Sequence, residues 1–148
     1  MCTVVIGDSE KDHLIITVNG RAHPDSTDYW DGNWLLCEIH MVSGAFTGDI
    51  SHDVHLRVDE FKSFFEEVDD LYKSLKGTAK YSSLEQWIQL EISGDGRGHM
   101  LAKGCVIDKH IEGNKLNFSI HFDQTALPKT LIGLRDLLSQ YPLIGQPN

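Results

Sequence analysis

Cysteine is scarce in this 148-residue chain: Cys2, Cys37 and Cys105 are odd in number and unpaired in spacing. That pattern indicates neither a disulfide framework nor a zinc knuckle, and a reducing compartment suits it best. Basic residues are also few, with 13 Lys and Arg against 22 Asp and Glu, for a formal charge of -9 at pH 7. Nucleic acid would be repelled, because its binding is driven by releasing phosphate counterions to Lys and Arg. A basic protein partner would instead be steered in. Long apolar runs are missing too. The opening Met1 to Ile6 stretch has no basic leader and is far shorter than a signal-peptide core or a membrane span, so the expected location is the cytoplasm, with no membrane partner. No repeat, linker or low-complexity tract interrupts the chain.

What is present is globular, with 41% hydrophobic and 24% charged residues in a length that suits one domain over residues 1–148. Thr3 to Ile6, Leu14 to Val18, Trp34 to Val42 continuing into Phe46, and Val54 to Val58 read as a meander of about five strands, with a bulge or turn at Gly44 and Gly48. Leu35, Cys37, Ile39 and Met41 form one buried face of the third segment. Asp59 is placed to cap a helix whose Phe61, Phe64, Phe65, Val68, Leu71, Tyr72 and Leu75 share a stripe, and Gly77 to end it. A second meander follows through Ala79 to Ser82, Trp87 to Ile92, His99 to Ile107 and Leu116 to Phe122. A helix from about Ala126 to Gln140, capped by Thr125 and tolerant of Pro128 in its first turn, closes the chain. Strand runs separated by single helices, without βαβ alternation, give an α+β fold built on largely antiparallel sheet.

Asp28-Tyr29-Trp30-Asp31-Gly32-Asn33-Trp34 sets two indoles and a phenol beside carboxylates, with Asp-Gly as a turn signal. Such rings serve either as anchors on their own sheet or as an interface hot spot. Glu66, Glu67, Asp69 and Asp70 line the outer side of the first helix without lysine partners, which is either a plain solvated face or a docking field. Among eight histidines, His52-Asp53-Val54-His55 with Asp49 nearby is the densest group. On a strand its two imidazoles point to opposite faces, and no third and fourth ligand follows at zinc-like spacing. Ser119, His121 and Asp123 share one side of a strand, yet no nucleophile elbow precedes Ser119. Gly94-Asp95-Gly96-Arg97-Gly98 joins two strands and opens no helix, so it reads as a hairpin connection and not as a phosphate cradle.

Tyr29-Trp30-Asp31-Gly32-Asn33-Trp34-Leu35, then Leu75-Lys76-Gly77-Thr78-Ala79, Gly96-Arg97-Gly98-His99-Met100, and Phe122-Asp123-Gln124-Thr125 before a Leu-rich helix and Tyr141-Pro142 together resemble the WapI family of bacterial immunity proteins. The likeness runs from about Asp28 to Pro142. It implies a small cytoplasmic protein, not an enzyme and without cofactor or metal, that binds and neutralises the toxic C-terminal domain of a secreted or wall-associated toxin, often a tRNA-cleaving nuclease. Beside that resemblance, the residues themselves select Asp28, Trp30, Asp31, Glu66, Glu67, Asp69 and Asp70 as candidate contacts to a basic partner domain. The rival readings are a histidine-based metal-binding domain or small hydrolase, and an interaction module without a toxin; oligomeric state stays open.

Overall fold

Period-two alternation builds two sheets in the computed structural model, which describes residues 1–148. The first sheet holds β1 (Cys2–Gly7), β2 (His13–Arg21), β3 (Trp34–Ser43) and β4 (Phe46–Arg57) in that order. The second holds β5 (Lys76–Ser82), β6 (Ile88–Asp95), β7 (His99–Ile107) and β8 (Lys115–Asp123). Every pairing is antiparallel. A one-turn helix α1 (Tyr29–Gly32) precedes β3, α2 (Val58–Ser74) joins the sheets, and α3 (Leu127–Gln140) follows β8. The fold is therefore α+β, two meanders with a helix after each.

Leu35, Cys37, Ile39 and Met41 do form the buried face of β3, none more than 4% exposed. They join Phe61, Phe64, Val68 and Leu71 of α2 and Leu127, Leu131, Leu134 and Leu137 of α3 in one cluster of 36 buried residues. Burying each such large side chain is worth about 1.5–3 kcal/mol. The helices also cover two of the sheet edges, α2 against β5 and α3 against β1. Glu67 Oε1 accepts from the Lys80 backbone N–H on β5 (3.2 Å), and the Thr130 hydroxyl donates to the Val5 carbonyl on β1. Exposed strand edges invite foreign pairing, so these side chains close two of them.

Several local expectations are corrected. The first meander has four strands, because Phe46 to Arg57 is one continuous strand; its irregularity falls at Ser51 to Asp53, opposite Glu38, and Asp53 takes a left-handed φ of 60° there. Gly44 belongs to the β3–β4 turn, and Gly48 is paired within β4. Val58 is the first residue of α2, and Arg57 occupies the cap position that Asp59 was expected to fill, with Asp59 inside the first turn. Leu75, not Gly77, makes the left-handed exit from α2 at φ 61°. That conformation costs a non-glycine residue about 1–2 kcal/mol. It is held because the Leu75 N–H reaches the Leu71 carbonyl and the Leu75 carbonyl accepts from Gly96. Asp123, not Thr125, caps the final helical segment, its carboxylate accepting from the Thr125 N–H at 2.9 Å ahead of a 3-10 turn at Gln124–Ala126.

A candidate docking face around a buried arginine

Asp31-Gly32 is part of a helical turn and not of a tight turn between strands. Asp28 caps it, one carboxylate oxygen accepting from the Asp31 N–H at 3.1 Å. A helix of four residues leaves all its carbonyls without intrahelical partners, so side chains from elsewhere must supply donors. Arg57 donates to the Trp30 carbonyl (2.6 Å) and the Tyr29 carbonyl (2.9 Å), and its Nε donates to Asp59 (2.9 Å). Arg21 donates to the Gly32 carbonyl at 2.8 Å. Asn33 donates to the Tyr29 carbonyl and to the Ile144 carbonyl, and accepts from the Ile144 N–H, which ties the C-terminal segment to the motif. Gly32 fits this junction tightly: a Cβ there would stand 3.1 Å from the Ser26 carbonyl and 3.3 Å from the Ile144 side chain, so both would have to give way.

The Arg57 guanidinium is the centre of the assembly, only 2% exposed. Its carbon lies 5.2 Å from the Tyr29 ring centroid, 5.3 Å from Trp30 and 4.9 Å from Trp34, so three π faces surround a cation whose donors meet carbonyls and a carboxylate. The Tyr-Trp-Asp-Gly-Asn-Trp string is thus first of all architectural. Trp30 is nevertheless 52% exposed, because Arg57 and Tyr29 cover only its inner side. Reading the sequence missed Arg57. The visible signal is an arginine ending an apolar strand directly before Asp59 and Glu60.

Glu60 extends the network. It accepts from the Arg57 N–H (2.8 Å), the Tyr81 hydroxyl (3.1 Å) and the Leu84 N–H (2.6 Å). Burial raises its carboxyl above the usual range while those donors pull the other way. Burial likewise pushes the Tyr81 phenol well up. Through Glu60 the β5–β6 connection is fastened beside α1. Trp30 and Leu84, the latter 63% exposed, border one cleft of about 490 Å³ together with Asp59, Glu60 and Gln86.

The candidate contacts fall into two groups. Asp28, Trp30 and Asp31 share α1 and its cap. Glu66, Glu67, Asp69 and Asp70 lie further along α2, Glu66 about 10 Å beyond Asp59 at 1.5 Å per residue. The expectation that those α2 carboxylates lack lysine partners is corrected: Lys73 pairs with Asp69 at 2.8 Å one turn on, and Glu67 is engaged with the β5 backbone. Glu66 and Asp70 are the exposed acids left on that face.

The histidines are distributed otherwise than a site would need. His52 and His55 border a cleft of about 540 Å³ with Glu85, Trp87 and His110. No three His, Cys, Asp or Glu side chains there or elsewhere gather closely enough to hold a metal ion. The buried Trp87 indole N–H beside this cleft has no hydrogen-bond partner. His121 meets His99 ring to ring, Nδ1 to Nε2 at 3.1 Å, while Asp123 is engaged as a cap and Ser119 accepts from the Ser43 hydroxyl through its backbone carbonyl.

The geometry defines an α+β fold that presents a half-exposed indole beside exposed carboxylates, held from within by Arg57. The chain belongs to the WapI-like immunity protein family, whose model matches residues 5–142. A search of curated proteins finds no match. Family membership gives the chain an immunity role and a cognate toxin as its partner.

Proposed function

We propose that this protein neutralises the C-terminal toxic domain of a secreted or wall-associated toxin, that the domain is a basic, tRNA-cleaving nuclease, and that neutralisation is by binding alone, in the cytoplasm. The observation that carries this reading is the Trp30 ledge: a half-exposed indole locked by Arg57 beside Asp28 and Asp31, on a molecule of charge -9. A nuclease cleft must attract phosphate and is cationic for that reason, so an acidic inhibitor is steered to it and an aromatic anchor holds it there. Asp28, Trp30 and Asp31 are the proposed first contacts, with Glu66, Glu67, Asp69 and Asp70 supplying field along α2.

The test is co-expression with the terminal domain of the toxin encoded immediately upstream. Cells making both proteins survive with intact tRNA, the two chains co-purify one to one, and association slows as ionic strength rises. Continued tRNA cleavage in the presence of this chain refutes the proposal, and an association rate indifferent to salt removes its electrostatic part.

A further inference from the structure

We infer that the cleft between α1 and the β5–β6 connection is the anchoring point of the toxin domain, and that it takes a segment presenting a Lys or Arg beside an aliphatic side chain. This rests on the immunity reading above. Trp30 lies between two strands of the first sheet and Leu84 between two strands of the second, yet they border the same cleft and each is more than half exposed. Both walls are fastened to the start of α2, Trp30 by the Arg57 bonds to its own and its neighbour's carbonyl, Leu84 by the Glu60 bond to its N–H. A partner therefore meets a surface that is already ordered, and little conformational freedom is lost on docking.

Charge selects the occupant. Exposed Asp28 and Asp31 flank Trp30, and Asp59 lines the cleft with one oxygen bonded to Arg57 and the other beyond that bond, while Arg57, the one basic lining residue, is buried with its donors committed inward. A Lys or Arg stem packs on the outer Trp30 face and on Leu84, and its head reaches the carboxylates. The contrast with the cleft beside Phe46 is informative. That residue is 65% exposed, but Lys103 is the one charged residue lining its cleft, which suits no cationic segment. The α2 face offers Glu66 and Asp70 without an exposed apolar anchor in a cleft, so it acts as rim.

The probe is the catalytically inactivated terminal domain of the toxin encoded upstream, titrated calorimetrically against the full chain and its variants. Leu84→Ala and Asp31→Lys alter side chains that form no hydrogen bond within the fold, so both variants melt with the parent and each weakens binding at least about tenfold. Trp30→Ala weakens it further, by about 30-fold or more; because that ring also packs on Arg57, the other two variants carry the test if it fails to fold. Phe46→Ala, in the cleft that Lys103 lines, stays within about threefold in Kd. Unchanged affinity in Leu84→Ala and Asp31→Lys, with the parent binding tightly, overturns the inference and leaves the immunity reading standing. Failure of the parent to bind overturns the immunity reading, and this inference with it. Sedimentation that reveals a homodimer dissociated by Leu84→Ala assigns the cleft to a second copy and also overturns it.

Discussion

Arg57 satisfies three groups that no other side chain could reach together: two carbonyls of α1 and the Asp59 carboxylate. A lysine keeps the charge but places one compact ammonium where a planar fork spans the site. Tyr29 keeps its Asn33 donor, so Arg57→Lys is expected to leave either the Trp30 carbonyl or Asp59 without its partner and to lower unfolding free energy by about 1–3 kcal/mol, read from urea denaturation. The same variant should loosen Trp30, seen as a change in its emission before global unfolding. Local pattern made the aromatic cluster visible at once, and strand alternation from Leu35 onward is fully readable from spacing. The hub itself was hidden, because the arginine lies 27 residues from the carbonyl that it binds. Whether a tryptophan is anchor or contact depends on which of its faces another segment covers, and no single window of sequence contains both segments.

Helix α3 passes β1 so closely that Gly133 has no room for a side chain: a Cβ would stand 2.4 Å from the Thr3 carbonyl oxygen. In an isolated helix Gly→Ala is worth about 1 kcal/mol in favour of alanine. Here the clash is with backbone, so Gly133→Ala should destabilise by about 1–3 kcal/mol and lower Tm in a thermal melt, by overpacking. The existence and order of the eight-strand, two-long-helix arrangement followed from periodicity, except that one long edge strand had been divided in two. Boundaries were less readable, since they are decided by tertiary bonds. Arg57 takes the α2 cap position because its side chain and N–H have partners there, and Leu75 turns left-handed because Gly96 meets its carbonyl. Propensity favours Asp59 and Gly77 for those tasks, and packing overrides it.

Net charge could be counted directly, but its arrangement could not: Glu67 and Asp69 looked free and are engaged, whereas Asp28 and Asp31 gain significance only through the cleft beside them. Acid acts on two turns at opposite ends of β7, the β6–β7 and β7–β8 connections. Backbone N–H donation from Arg97 holds the Asp95 carboxyl below its ordinary value, and Asn114 does the same for Asp108. Depressed folded values mean stabilisation that is present above the ordinary carboxylate range and is lost as pH falls through the lowered values. Protection factors at the Arg97 and Asn114 amides, taken relative to the slower intrinsic exchange in acid, should therefore fall on acidification, and Asp108→Ala should abolish that dependence at Asn114. Glu60, shifted the other way by burial, has the opposite sign: its protonated form is favoured in the fold, so its ionisation opposes stability as pH rises through the raised value.

The two-way clasp of Asn33 on Ile144, with Arg21 on the Pro142 carbonyl, has a mechanical meaning. It couples the Pro142 to Ile144 stretch to the turn that presents Trp30, so the order of one depends on the order of the other across more than a hundred residues of chain. Cutting the clasp at Asn33, as Asn33→Ala would, should therefore free the Pro142 to Ile144 stretch and slacken the Trp30 turn together.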